Sequence, residues 1–454
     1  MARAAFGQRI IQYHANTNLE ETIKKTFTDA KRYQSIELIS HAQYDELRRS
    51  MTLNGSKIRE VIKRSREKIK SINIAWIDQL TDPDMALREK MTLFWHDHFA
   101  CRSNNAYFVQ KQNNTIRKHA LGKFGDLLTA VSQDAAMLQF LNNQQNRKSQ
   151  PNENFARELL ELFTLGRGHY TEPDIKEAAR ALTGWGFNLQ GEFVFRKRVH
   201  DYGQKTFLGR KGNFDGEDIL SIILEEKQTA RFLTEKIYQY FVNDQIDPEI
   251  TEVLAMRFYD SGYNIELLLK EIFTSAWFYD PGNVGNKIKS PVDFIAGLMV
   301  NFDLQFEDPE AVLFLQRAFG QVLFYPPNVG GWPTGKAWID SSSLAFRLRL
   351  PEFIIRMSSF RFNKSDEDLG DLSNFRKETK RLRSKIDWKQ FGESFSGTTN
   401  GKLISDCADY LLNVPLEDTN MKFIEEYLNS IGDAYDPVKE VMLSIASLPE
   451  YQLC

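Results

Sequence analysis

Asn152-Glu153-Asn154-Phe155-Ala156-Arg157-Glu158-Leu159-Leu160-Glu161-Leu162-Phe163-Thr164-Leu165-Gly166 decides how this chain is read. Phe155, Leu159 and Phe163, with Ala156 and Leu160 beside them, recur at spacings of three and four, so they share one face of a helix. Asn152 is a start signal, and Gly166 stands where a left-handed residue ends a helix. Thr171-Glu172-Pro173-Asp174 follows at once. It offers a capping hydroxyl, an acid three residues on and Pro in the first turn. A second helix then runs through Ile175, Ala178, Ala179 and Leu182 to Gly184.

Outward from this pair the same grammar predicts helices over 18–27, 83–100, 216–225, 229–242, 248–261, 265–275, 291–302, 309–319, 342–357, 403–412, 419–430 and 437–447. Strand signals are thin. Gly191-Glu192-Phe193-Val194-Phe195-Arg196 alternates as one short strand or hairpin arm. The expected fold is mainly α: a large multi-helix domain with a short β or irregular insert near 188–216. Polar stretches at 362–371 and 394–401 suggest a large helical domain over 1–360 and a C-terminal helical region over 361–454 packed on it. Segments 267–279 and 438–451 echo each other in a Ser-then-aromatic ending, which is a shared helix-stop pattern rather than a solenoid.

Composition bounds the function. Of 454 residues, 42% are hydrophobic and 26% charged, the balance of a globular chain and not of a disordered or membrane-embedded one. With 58 basic against 61 acidic residues the net charge is −3, so no overall field draws in nucleic acid. The basic runs at 63–68 and 376–385 are interleaved with acids and read as solvated helix faces. Cys101, Cys407 and Cys454 form no C-x-x-C, which argues against a zinc ribbon, a redox pair or a disulfide framework. No apolar run reaches 18 residues, and the first residues lack a signal-peptide core. The expectation is a cytoplasmic protein as written, and an exported one if residue 1 is not the true start.

Four segments carry residues suited to chemistry. Trp95-His96-Asp97-His98-Phe99 offers His96 and His98 as ligands, although two helical positions apart they diverge by about 200°. Glu158 and Glu161 share a helix face, with Arg157 placed to pair with Glu161, and Glu153 lies in the first turn. A carboxylate metal site and an ordinary solvated face both fit this spacing. His200-Asp201-Tyr202-Gly203-Gln204-Lys205 offers a His beside an acid for general-base work, or a turn in which Asp201 and Gly203 organise backbone. Asn328, Trp332 and Trp338 lie in Pro326–Trp338, a Pro/Gly-rich aromatic loop suited to stacking on carbohydrate, to a peptide groove or equally to packing on itself.

Taken in order, these motifs resemble a bacterial family known as domain of unknown function 1800 (DUF1800). The resemblance rests on 134–138 and 152–166, on Tyr170-Thr171-Glu172, on 178–185, and on His200-Asp201-x-Gly203-x-Lys205. It also rests on Lys289-Ser290-Pro291, on Pro327-Asn328-Val329-x-Gly331-Trp332-Pro333 and on the opening Arg3-Ala4-Ala5-Phe6-Gly7. It covers nearly the whole chain. The resemblance implies a large helical domain without an established activity, an export signal in many members, and a sulfatase-like exported family as protein partner. Phe163 stands where many members have His, which weakens a metal reading at Glu158 and Glu161.

Two functions follow as expectations. The first is a hydrolase-like enzyme in which Glu158, Glu161, His200, Asp201 and Lys205 are catalytic and His96, His98 and Glu153 hold a divalent metal. The second is a non-catalytic binding or assembly protein that docks a partner through Asn328, Trp332 and Trp338. Nucleic-acid binding is the weakest class.

Overall fold

The structure, a computed structural model, describes residues 3–13, 18–53, 55–356, 382–395, 399–431 and 435–454. It is mainly helical, and its strands form three two-stranded antiparallel ladders among the described residues. Helix starts follow the capping signals. Asn18 accepts from the Glu21 N–H, and Thr171 and Asp174 form a reciprocal capping box. Asp215 and Asp218 do the same for Gly216–Glu225. The non-helical insert holds Trp185–Phe187 paired with Phe193–Phe195, and Lys205–Phe207 paired with Arg210–Gly212.

Among the described residues, sequence periodicity passed over seven α-helices: His41–Leu53, Gly55–Leu80, Ala106–His119, Phe124–Ser132 and Ala135–Phe140, and the short Ile10–Tyr13 and Trp388–Ser394. The basic run at 63–68 lies on the second of these, where Arg64 pairs with Glu60 and Lys70 with Glu67. Both echo segments are a helix followed by a 3-10 turn, Ile265–Thr274 with Ala276–Tyr279 and Pro437–Ala446 with Pro449–Gln452. The boundary expected at 362–371 and most of the basic run at 376–385 fall outside the described residues. Among the described residues no helix is long and apolar enough to cross a membrane.

Two cores meet at the Ala86–His98 helix. Leu87, Met91, Phe94 and Trp95 belong to a core with Phe155, Leu159, Leu182, Leu233 and Phe273. Leu93 faces a second core with Trp76, Phe294, Leu350, Ile404 and Val441, so residues beyond 381 share a core with residues before 356. A helix buried on every face must also bury its polar residues, and each then needs a partner. Glu89 takes the Arg117 Nε–H at 2.6 Å and the Trp76 Nε1–H at 2.7 Å. Both members of the Glu89–Arg117 pair are fully buried. The next residue, Lys90, gives a 2.6 Å hydrogen bond to Asp293 of the second core.

Glu89→Ala strands the Arg117 cation away from water and should cost about 3–5 kcal/mol in urea denaturation. Glu60→Ala, which breaks the exposed pair with Arg64, should change stability by less than about 1 kcal/mol. Equal losses in the two variants would show that the buried pair adds nothing beyond a surface one.

Candidate functional site

The decisive stretch departs from a regular helix. It is α-helical over Asn154–Glu158 and becomes a π-helix over Leu159–Thr164. Leu165 N–H bonds the Leu160 carbonyl at 3.0 Å, and the Thr164 hydroxyl gives 2.6 Å to the Leu159 carbonyl. Gly166 closes the turn at φ +79° with the Phe232 ring against it, where a side chain would collide. Single π turns occur often at functional sites.

Two carboxylates stand at this widened turn, Glu158 just before it and Glu161 within it. Glu161 accepts 2.6 Å from Arg167 Nε and 3.0 Å from the Tyr170 hydroxyl. The Arg167 hydrogen bond holds its pKa below the ordinary carboxylate value. Glu158 is half-buried and has no hydrogen bond among the described residues. Burial first, and then the neighbouring Glu161 charge, push its pKa up. Arg157 does not pair with Glu161 as the spacing suggested. It forks onto Glu172 with two 2.9 Å bonds and reaches Glu153 at 3.4 Å, which ties this helix to Glu172–Ala181.

His200, Asp201 and Lys205 come together, and their polar atoms meet backbone. His200 Nδ1 lies 2.8 Å from the Thr183 carbonyl, so that nitrogen carries the proton. Asp201 accepts 2.7 Å from Arg180 Nε and 2.7 Å from the Gly203 N–H, and Arg180 lowers its pKa. Lys205 is fully buried and gives its ammonium protons to the carbonyls of Asp201 at 2.6 Å and Gly203 at 3.2 Å. Glu177 completes the clasp by holding Arg180 and the Thr206 N–H.

His96 and His98 point into different cores. His96 Nε2 accepts the Phe324 N–H at 3.1 Å among Trp76, Phe324 and Trp332, and burial lowers its pKa to about 3. His98 Nε2 meets the carbonyl of Phe163 at 3.1 Å, and burial keeps it neutral too. Its Nδ1 is buried without a hydrogen-bond partner among the described residues. With Glu153 engaged by Arg157, the expected ligand set of His96, His98 and Glu153 is not assembled. Among the described residues no three His, Cys, Asp or Glu stand together to hold a metal.

The Pro326–Trp338 loop closes on the protein. Asn328 is exposed and folds its side chain back to the Gly330 N–H at 2.8 Å. Trp332 and Trp338 are only 5% and 8% exposed, so neither ring is presented to a partner. Asp97, between the two histidines, draws the loop in by accepting the Trp332 N–H at 2.8 Å. Gly331 at φ +84° passes so close to Asp97 that a Cβ would sit 2.8 Å from its carbonyl oxygen. The role of Asp97 was not assigned from sequence, although an acid inside an aromatic run is a signal that it has a buried task.

Burial raises the Asp97 pKa to about 6, against Lys236 and the Trp332 bond, which lower it. The folded protein therefore holds this proton more tightly than the unfolded chain, and stability falls as pH rises from 3.8 to about 6. Asp134, which caps Ala135–Phe140, is likewise raised to about 6 and contributes in the same window. Thermal unfolding of Asp97→Asn between pH 4 and pH 7 should show a shallower decline than the parent. An unchanged decline would assign it to Asp134 and other groups.

A protein-family model described as "Protein of unknown function (DUF1800)" matches residues 1–453. No curated protein and no solved structure matches the chain.

Proposed function

The chain belongs to the DUF1800 family, and we propose that it is a hydrolase-like enzyme whose acid and base are Glu158 and Glu161. The observation that carries this reading is the pair of neighbouring carboxylates held on opposite sides of the ordinary range. Two titratable groups pushed apart by their surroundings are the usual arrangement for acid and base roles at one pH. Glu158, whose pKa is the raised one of the pair, is the acid that gives its proton to the departing group. Glu161, ionised and oriented by Arg167 and Tyr170, takes a proton from attacking water. His200, Asp201 and Lys205 serve as positioning residues, since their clasp braces Glu172–Ala181, to which Arg157 ties the Glu158 helix. Proton transfer of this kind requires no metal. The second expectation, docking through Trp332 and Trp338, lacks an exposed ring to serve as anchor.

The test is hydrolysis of a panel of chromogenic carboxylic esters, phosphoesters and glycosides. One class should be turned over, and Glu158→Gln and Glu161→Gln should each lower kcat by about 100-fold or more while staying folded. The parent rate should fall at low pH as Glu161 gains its proton and at high pH as Glu158 loses its own. Inertness toward every class, or glutamine variants with parental rates, would sink the proposal.

A further inference from the structure

A cavity of about 500 Å³ lies beside the start of the Ala106–His119 helix, bounded also by Gly55–Leu80 and the end of Ala135–Phe140. None of the candidate site residues described above lines it. Its apolar wall includes Ile39, Tyr44, Tyr107 and Phe140. Tyr44 and Tyr107 are stacked, with centroids 4.5 Å apart and planes 12° from parallel. Arg102 and Lys68 supply two cations, while no Asp or Glu is among its lining residues. Arg102 rests over the Tyr325 ring at 5.3 Å and has no ion-pair partner among the described residues.

Several acids stand near it, most of them with partners of their own. Glu67 holds Lys70 at 3.0 Å, Asp45 faces His41 at 3.5 Å, and Glu37 accepts from Gln110 and Asn114. The helix start is engaged as well: Asn105 caps Tyr107 and Phe108, and Ser65 accepts from the Ala106 N–H. What the cavity offers a visitor is an aromatic wall, the Arg102 and Lys68 cations and the exposed amides of Asn104 and Gln139.

We propose that this cavity binds a small aromatic carboxylate, at a site separate from the Glu158–Glu161 pair. A guanidinium presents a planar fork that matches a carboxylate with two parallel bonds. The stacked tyrosines and Phe140 favour a flat ring, which packs on them edge-on or offset. A volume of about 500 Å³ is that of an ordinary small-molecule site, largely apolar with a few orienting polar groups.

The proposal is tested by calorimetric titration of the full chain with 2-naphthoate, 2-naphthylmethanol and decanoate. The naphthoate should bind, and the uncharged alcohol should bind about tenfold more weakly or worse for want of the charge-assisted bonds. Arg102→Gln should weaken naphthoate by about the same factor. Lys68→Gln, an exposed change that leaves the fold intact, should weaken it by about threefold and decides the matter if Arg102→Gln does not fold. Absence of naphthoate binding, equal affinity for the alcohol, or parental affinity in the folded cation variants would overturn the proposal. Decanoate binding as tightly as naphthoate would overturn the aromatic assignment. Glu158→Gln should bind naphthoate as the parent does, and a loss there would overturn the separation of the two sites.

Discussion

The Ala86–His98 helix is held by two buried ion pairs made by consecutive residues, and the rest of the molecule is arranged around them. Glu89 reaches Arg117 and Trp76, while Lys90 reaches Asp293 in the other core. Consecutive helical residues project about 100° apart, so one turn of backbone serves both sides. Removing such charges from water is expensive, and only close, well-aligned partners repay it. The same constraint extends along the helix. His96, Asp97 and His98 each meet a backbone group from a different segment, at Phe324, Trp332 and Phe163. The helix thus sets the position of the widened turn at 159–164 and of the loop that carries Trp332.

Many residues that look chemical in this chain do backbone work. His200, Asp201 and Lys205 satisfy carbonyls and N–H groups where the small ladders interrupt the helices. An irregular segment cannot pair its own backbone as a helix does, so side chains must do so. That accounting separates Glu158 from the others. It is half-buried and without a hydrogen bond among the described residues, beside a Glu161 that is fully engaged. The asymmetry between these two acids, three positions apart, gives them different protonation behaviour.

The helices with strong caps were legible in the sequence, because a cap is a local signal. Thr171–Asp174, Asp215–Asp218 and Asp247 with Pro248 all start helices where their residues announce them. Ala106–His119 escaped notice because its buried face mixes Phe108, Val109 and Ile116 with Gln110, Gln112, Asn113 and Arg117, which blurs the apolar stripe. Its packing depends on partners far away in the chain, which periodicity does not register. The acids at 158 and 161 were legible by their spacing. The π turn that follows Glu158 was not, since its residues are good helix formers and the widening depends on what packs against them. The fate of Trp332 was hidden for a similar reason: Asp97, which draws the loop inward, lies 235 positions away.

The widened turn has a consequence for descent. A π turn is a helix carrying one residue more than its register needs. Deleting Leu159 or Leu160 would restore regular winding and rotate Glu158 by about 100° relative to Glu161. Indels are usually purged from helices, yet here one would leave a sound helix with its acids out of phase. The carboxylate pair therefore depends on chain length across this segment as well as on the acids at 158 and 161.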